Sequence, residues 1–380
     1  MTRARWAVLA GALMLCAAGA APARAQDDVG GGWRLGAFTF KPIGFVKLDA
    51  IYDFDPIGSR DSFDPRTIPV DGSEGRNVRL HARQTRLGLD VRGTVEREPM
   101  QIYVELDFFE GASYALRLRH AYGEWRGWRA GRAWSLFVDE DALPSTLDFE
   151  SPTTFPQVRQ AQIRYTHRLT ETWSWAVSAE DPAHTLDLPP TGGVTAREER
   201  IAPDVMGRVK HKTRTRHFQG AVFVGATRAR FDDNDTTTRA LWGVMASGRV
   251  ALGPRDAVMA QVSGGAGIGR FRGTQAAFLS PDGVLHTIDI FAVAAALDHH
   301  WSPRVMSTFT VGFANADAED DPAVADPTDQ LYYASANLVY WWMPDRAFVG
   351  GEYLFGRRET LTRAAGDANR LQVAFKFLLP

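Results

Sequence analysis

The chain has little cysteine, little lysine and no long apolar run beyond its start. Its one cysteine, Cys16, lies in an apolar N-terminal stretch, so disulfide bonds are excluded as a source of stability elsewhere. No segment after residue 25 is apolar for long enough to form a membrane-spanning helix, and no long segment has the 3.6-residue period of an amphipathic helix. A membrane protein without such helices has to be a closed barrel, because lipid offers backbone groups no hydrogen-bond partners.

The first 25 residues have the pattern of a signal peptide. Arg3 and Arg5 precede an apolar run of small residues, and Ala-Arg-Ala at 23–25 fits the small-x-small cleavage rule, which predicts a mature chain beginning at Gln26. An N-terminal anchor helix is the alternative, although the run is short for one. Cleavage would remove three arginines and no acids, which takes the formal net charge from −2 to −5. That balance excludes a nucleic-acid partner.

What the chain does have is two-residue alternation. Ile102 and Val104 share one face of a segment in which Glu105 and Asp107 share the other. A two-residue period is typical of a strand whose two faces meet different surroundings. The pattern predicts sixteen strands, at 38–54, 77–92, 100–109, 114–125, 128–134, 158–168, 173–180, 201–211, 215–230, 237–251, 257–271, 285–300, 305–315, 330–341, 347–356 and 369–379.

The connections between these segments alternate between long and short. The short ones carry turn residues such as Gly253-Pro254. Most of the long ones are polar, and they cover 55–76, 135–157, 181–200, 272–284, 316–329 and 357–368. A transmembrane barrel has this rhythm, with long extracellular loops at one end and tight periplasmic turns at the other, whereas a soluble β-sandwich does not.

We therefore predict an all-β fold, a 16-stranded antiparallel transmembrane β-barrel over 38–380, preceded by a short N-terminal segment at 26–37. Both termini are expected on the periplasmic side of a Gram-negative outer membrane, where the barrel would contact lipid and lipopolysaccharide. Tryptophans near predicted strand ends fit aromatic girdles, and scattered core tryptophans are the alternative. They are Trp173, Trp175, Trp242, Trp301, Trp341 and Trp342.

Arginine supplies most of the positive charge on the predicted strands. A charged side chain that faces lipid at the midplane costs about 2–4 kcal/mol, so these arginines are expected to face water in the lumen. The predicted pore-lining, solute-binding residues are Arg79, Arg83, Arg86, Arg117, Arg119, Arg159 and Arg164. Rings of arginine favour anions, and a guanidinium holds a carboxylate through two parallel hydrogen bonds. The alternative is that lumen acids such as Asp49, Glu105 and Asp107 pair with the arginines, which then only stiffen the wall.

The second predicted strand changes face part-way along. Arg79 and Arg83 share one parity and Arg86 has the other. A β-bulge near Gln84-Thr85 would return all three to one face, and we predict a bulge there.

The third long connection, 135–157, is rich in acids and prolines. Its acids are Asp139, Glu140, Asp141, Asp148 and Glu150. Folded inward, this constriction loop would narrow the pore and set acids against the arginines, and the resulting transverse field would orient a dipolar or dianionic solute. An ordinary solvated acidic loop is the alternative.

Catalytic motifs are missing from the sequence. Neither GxSxG nor HExxH occurs, and the glycines at 264–269 do not follow the dinucleotide-binding spacing. His300-Trp301-Ser302 has the His-x-Ser spacing of an outer-membrane phospholipase, but it falls in a predicted periplasmic turn. The acid-rich segment 317–329 could hold a divalent ion, although a solvated loop is the simpler reading. We predict no enzyme activity, no cofactor and no metal centre.

Six motifs together resemble a known family. They are GFVKLDAIYDF at 44–54, HARQTRLG at 81–88, VELDFF at 104–109, LRLRHAY at 116–122, GRAWSLF at 131–137 and LPSTLDFE at 143–150. In this order they resemble the DcaP-like family of trimeric outer-membrane porins, while the rest of the chain resembles a generic sixteen-stranded porin. The resemblance implies a homotrimer whose pores pass small anions, with dicarboxylates favoured. It also implies that Arg83, Arg86, Arg117 and Arg119 line the pore and that the segment after GRAWSLF is the inward loop.

The sequence departs from that pattern at both ends. Some family members carry an N-terminal coiled coil, whereas the Gly-rich segment 26–37 fits no heptad, so a trimer would have to rest on the barrel walls. Barrels commonly end on an aromatic residue that the assembly machinery reads, whereas this chain ends in Pro380. The sequence favours a porin for passive diffusion of small anionic solutes through an arginine-lined pore. A structural or adhesive barrel without an open pore is the alternative.

Overall fold

The computed structural model describes residues 32–111, 114–182, 186–187, 196–280, 283–317 and 327–379 of the chain. The predicted signal peptide, 1–25, lies outside these ranges, as does the first part of the segment 26–37. The rest of that segment forms a short strand, Trp33–Leu35, which pairs with Phe38–Phe40 across a turn at Gly36.

Sixteen antiparallel strands form a closed barrel, which confirms the predicted fold. They are β1 Phe38–Asp53, β2 in two parts (Asn77–His81 and Arg86–Val95), β3 Glu98–Glu110, β4 Ala115–Trp125, β5 Trp128–Trp134, β6 Arg159–Arg168, β7 Trp173–Glu180, β8 Asp204–Lys212, β9 Arg216–Phe231, β10 Thr236–Ala251, β11 Ala257–Ala266, β12 Asp289–Ser302, β13 Val305–Asp317, β14 Thr328–Met343, β15 Ala347–Thr360 and β16 Ala365–Leu378. Each strand pairs with its neighbours in sequence, and β1 pairs with both β2 and β16. The ladder therefore has no free edge.

Two predicted boundaries are wrong. β11 ends at Ala266 rather than at residue 271, because Gly267 adopts φ 78° and begins a 3₁₀ helix, Ile268–Arg272. The connection predicted to be long at 357–368 is a short turn, because β15 and β16 continue pairing as far as Glu359 and Ala365.

The predicted bulge in β2 is present. Asp49 of β1 pairs with His81, and Phe45 pairs with Arg86, so four residues of β2 face three residues of β1. The extra residue lies within 82–85, where the strand is interrupted. Arg83 and Arg86 thereby both turn to the inside of the barrel.

The two faces of each strand differ as the alternation predicts. On β9, Val222 and Val224 are exposed on the outside, while Phe223 is buried on the inside. Tryptophans mark the rims, with Trp173 and Trp301 at the ends of strands on the short-turn side, which in outer-membrane barrels faces the periplasm. Trp242 lies nine residues above the periplasmic end of β10, roughly 23 Å at ordinary strand rise and tilt. This separation fits the two aromatic rims of an apolar band.

Within the ranges given above, helical structure is limited to three short 3₁₀ helices: Pro65–Thr67, Glu140–Ala142 and Ile268–Arg272. No helix in the described part of the chain is long and apolar enough to cross a membrane.

Three loops pack apolar side chains against the inner wall of the barrel. The first loop, 54–76, places Phe63 and Ile68 against Tyr333 and Leu354 of β14 and β15. The constriction loop places Leu136 and Phe137 against Met206 and Phe223 of β8 and β9, where Ile268 and Phe271 of the loop 267–288 join them. Space remains mainly beside β1–β6.

A buried ion pair holds the first loop and the barrel seam together. Arg370 of β16 is fully buried, and its Nε donates to Asp53 Oδ1 of β1 at 2.5 Å. Its Nη2 donates to the Ser59 carbonyl at 2.8 Å, and the Asp148 carboxylate lies 3.8 Å from Nη1. This guanidinium neutralises two acids that have little access to solvent.

We predict that Arg370→Leu destabilises the barrel by about 3–5 kcal/mol, because Asp53 and Asp148 would remain buried without a counter-charge. Urea unfolding in lipid vesicles, followed by tryptophan fluorescence, measures the change. Arg357→Leu is the matched control, since Arg357 is 40% exposed and its pairs with Glu359 and Asp367 lie at the rim. Its loss should cost about 0–1 kcal/mol. Equal effects of the two substitutions would refute this account.

Candidate functional site: a cationic cavity beside the constriction loop

The constriction loop, 135–157, runs around the inside of the barrel and is bonded to many strands. At its start, the Leu136 amide donates to Glu180 Oε1 of β7 at 2.9 Å. Asp139 then accepts hydrogen bonds from His217 of β9 at 2.6 Å and from Ser247 of β10 at 2.6 Å. The inward loop predicted from the sequence is therefore confirmed.

Further along, buried ionisable side chains hold the loop backbone. Glu352 of β15 accepts from the amides of Leu147 and Asp148 at 2.7 and 2.8 Å. Lys47 of β1 donates to the Leu147 carbonyl at 2.5 Å and contacts Asp49 at 2.9 Å. Polar groups of the wall thus replace the water that this loop backbone would otherwise bind.

The loop ends against β3 and β4. Phe149 stacks on Phe109, with ring centroids 3.7 Å apart, and lies under the guanidinium groups of Arg117 and Arg119 at 5.1 and 5.8 Å. An aromatic face attracts a cation, so this contact fixes the loop and the two arginines in one arrangement.

Between the loop and the wall of β1–β6, with part of β15 and β16, lies a cavity of about 710 Å³. Eight cationic side chains line it: Lys47, Arg86, Arg92, Arg117, Arg119, Arg129, Arg159 and Lys376. Four carboxylates line it as well: Glu105, Glu140, Asp148 and Glu150. The cations lie on the strands, and three of the four acids lie on the loop.

Five of these cations are paired with wall acids. Arg117 forms a two-bond contact with Asp107 at 2.7 and 3.0 Å, and Arg119 bonds both Glu105 at 2.6 Å and Asp107 at 2.8 Å. The other pairs are Lys47–Asp49, Arg92–Asp90 and Arg129–Glu124. Arg117 and Arg119 therefore have the acid partners that the alternative interpretation of the sequence gives them.

Three lining cations have no carboxylate within 4 Å among the described residues. Arg86 and Lys376 lie against the Phe45 ring at 5.2 and 3.8 Å. Arg159 lies over Trp134 at 3.4 Å, and its Nε contacts His120 Nε2 at 3.1 Å. These cations are held by aromatic rings instead of by acids, so their charge remains available to a solute.

Comparison with known proteins agrees with this geometry. The model of the DcaP outer membrane protein family matches residues 37–378. The chain belongs to that family. No curated protein sequence gives a match.

Solved structures show the same fold. The outer membrane channel DcaP of Acinetobacter baumannii is 22% identical, with a TM-score of 0.79, and the match covers 91% of this chain and 99% of that one. An anion-selective porin from Comamonas acidovorans is 9% identical, with a TM-score of 0.57 over 90% and 99% of the two chains. OmpT of Vibrio cholerae in its trimer form is 10% identical, with a TM-score of 0.55 and the same two coverages.

Four of the seven arginines singled out in the sequence of this DcaP-family chain line the cavity: Arg86, Arg117, Arg119 and Arg159. The other three lie outside it. Arg79 and Arg83 both pair with Asp61 of the first loop. Arg164 donates to the Trp134 carbonyl at 2.5 Å.

The five acids of the constriction loop face two different parts of the lumen. Glu140, Asp148 and Glu150 line the cavity, whereas Asp139 and Asp141 face the opposite wall. Asp141 contacts Lys210 and Lys212 at 2.9 and 2.8 Å, and although burial alone would raise its pKa, these lysines lower the pKa below the ordinary value. The loop thus presents acids to both sides of the lumen.

Asp139, Asp141 and His217 lie close enough together to hold a metal ion. Lys210 and Lys212 occupy the carboxylate oxygens of Asp141, and His217 and Ser247 occupy those of Asp139. The arrangement is that of ion pairs fastening the loop, and the chemistry of this donor set does not favour a cation.

Sequence reasoning missed three lining cations: Lys47, Arg129 and Lys376. Parity could have found two of them, since Lys47 lies between the exposed Val46 and Leu48, and Lys376 lies between exposed phenylalanines. It also missed Glu352, whose role depends on the path of a loop that has no periodicity.

Glu150 is the lining acid whose charge is most affected by its surroundings. Burial raises its pKa to about 7, against the opposing effect of Arg66, 3.8 Å away. Asp64 and Asp148 add to the rise, and Arg117 opposes it. The carboxyl group is therefore about half protonated near neutral pH.

We predict a protonated-carboxyl band in infrared difference spectra between pH 6 and pH 8, and a decrease in its intensity in Glu150→Gln. Because the pKa of Glu150 is raised to about 7, the carboxyl group is mostly neutral below that pH and mostly ionised above it. The cavity therefore becomes more positive as the pH falls. Asp141→Asn is the control, because the pKa of Asp141 is lowered and that group stays ionised over this range. A band whose intensity is unchanged in Glu150→Gln would contradict the assignment.

Proposed function

We propose that this DcaP-family protein is a passive outer-membrane pore for small anions, with dicarboxylates favoured. The observation that supports this most directly is the group of cations without acid partners, Arg86, Arg159 and Lys376, on the wall of one cavity. Arginine and lysine along a narrow passage lower the electrostatic barrier for anions and raise it for cations. The comparison with an anion-selective porin of the same fold supports the same reading.

The preference for dicarboxylates rests on the spread of these cations. Arg86 and Lys376 lie together against the Phe45 ring, whereas Arg159 lies on β6 over Trp134, so the three cations occupy two places on the cavity wall. A solute with two carboxylates can contact two of them at once, whereas a monocarboxylate contacts one. The volume of about 710 Å³ is in the range of small-molecule sites.

Compartment and assembly complete the proposal. The precursor would be exported through a signal peptide at 1–25, and the barrel 38–380 would lie in outer-membrane lipid beside lipopolysaccharide as a homotrimer. The trimer form of a porin with this fold supports that state. We propose neither an enzyme activity nor a cofactor, because the polar groups of the cavity are assigned to solute binding and to holding the constriction loop.

We expect that Arg86→Gln and Arg159→Gln each reduce the anion-over-cation permeability ratio, by about fivefold, the factor that corresponds to about 1 kcal/mol for one charge at close range in water. Reversal potentials of single channels in a salt gradient give the ratio. Arg164→Gln is the matched control, since its guanidinium faces the wall outside the cavity. A cation-selective wild type, unchanged by the substitutions, would refute the proposal.

A graded solute series tests the preference for dicarboxylates. In liposome swelling, succinate should enter faster than butyrate or a neutral diol of similar size, and Arg86→Gln/Arg159→Gln should abolish the difference. If all three solutes enter at equal rates, the pore is unselective. If none enters and no conductance appears in planar bilayers, the barrel is structural or adhesive.

A further inference from the structure

Arg132 points out of the barrel instead of into it. It pairs across the ladders with Ala121 of β4 and Ala161 of β6. The neighbours of Ala161 on β6, Gln160 and Gln162, are buried inside, while Ala161 itself is exposed outside. Directly paired residues of adjacent strands share a face, so Arg132 lies on the outer surface.

Its height places it within the apolar band. Arg132 is four residues above Trp128, which lies at the periplasmic end of β5 and is 52% exposed. With the usual strand rise and tilt this is roughly 10 Å, and the lipid-facing band of such barrels is about 25 Å tall. A charge at this depth would face hydrocarbon.

The side chain does not turn back toward the nearer membrane surface. Its Nε donates to the Leu118 carbonyl at 3.2 Å, and Leu118 lies on the extracellular side of Ala121 along β4. The guanidinium therefore points further into the band. No carboxylate lies within 4 Å of it in the part of the chain that the structure describes.

Outward positions on the far side of the barrel are different. They carry apolar side chains, as lipid requires, and examples with at least 40% exposure are Val222, Val244, Val262, Val293, Val311, Leu338 and Leu371. Around Arg132 the small outward residues Ala121, Gly123, Ala130 and Ala161 lie beside the larger Leu118 and Ile163. Small residues make a flat surface that a second backbone can approach closely.

We infer that the outer face of β4–β6 is covered by a second copy of this chain, and that Arg132 donates hydrogen bonds across the subunit interface. Protein provides the carbonyl and carboxylate acceptors that hydrocarbon lacks, so a charge unsuited to lipid is suited to this contact. The inference rests on the proposed homotrimer and goes beyond it, because it assigns one face and one residue to assembly.

Spin labels can test which face is covered. In a Cys16→Ser background, single cysteines at Ala130→Cys and Ala161→Cys report on the proposed interface, and Ala260→Cys, an exposed outward alanine of β11, is the matched lipid-facing control. Labels at the first two positions should show low accessibility to oxygen dissolved in the bilayer, and the label at the third should show high accessibility. Equal accessibility at all three positions would overturn the inference.

Native mass spectrometry of detergent-extracted protein tests the residue. Arg132→Leu should weaken the trimer by about tenfold or more, because it leaves acceptors of the neighbouring copy unpaired, while Val311→Leu should leave assembly unchanged. If Arg132→Leu assembles like the wild type, the assignment of Arg132 is wrong. A monomeric wild type that still conducts anions would overturn the interface and leave the proposed pore function intact.

Discussion

Closure of the hydrogen-bond ladder between β1 and β16 is the constraint on which the rest of the structure depends. A backbone group left unpaired in hydrocarbon costs several kcal/mol, so all sixteen strands have to pair on both sides. Once the ladder is closed, strand parity divides the side chains into a lipid-facing set and a lumen-facing set. The arginines and acids of β2–β6 can be ionised because that division sends nearly all of them inward.

The lumen-facing charges have two separate tasks. Lys47 and Glu352 bind the backbone of the constriction loop, Asp139 of that loop binds His217 and Ser247 of the wall, and Arg370 binds the backbone of the first loop. Arg86, Arg159 and Lys376 lie against aromatic rings and form no ion pair with an acid in the part of the chain that the structure describes. The first set fixes the shape of the cavity, and the second set gives the cavity its positive charge. Because different residues carry the two tasks, a substitution in one set need not disturb the other.

The strands of this protein could be predicted from its sequence, because lipid on one side and water on the other impose a two-residue period on each strand. This period does not depend on the loops between the strands. The bulge before Arg86 could be predicted as well, because the alternation of inward and outward residues shifts by one position there. Most of the cavity could not be predicted in the same way. Arg79 and Arg83 were predicted to line the pore together with Arg86, yet both pair with Asp61, because Phe63 and Ile68 hold the first loop inside the barrel. Which arginine stays free depends on loop packing, which leaves no period in the sequence.

The path of the constriction loop has a consequence for how such a pore can change over generations. The loop is bonded to β7, β9, β10, β15 and β1, so altering it disturbs contacts around the whole barrel. A lumen position such as Arg159 contacts Trp134 and His120 of the wall, and its exchange leaves both the lipid face and the loop in place. New solute preferences are therefore expected to arise at single inward strand positions, with the loop inherited almost unchanged.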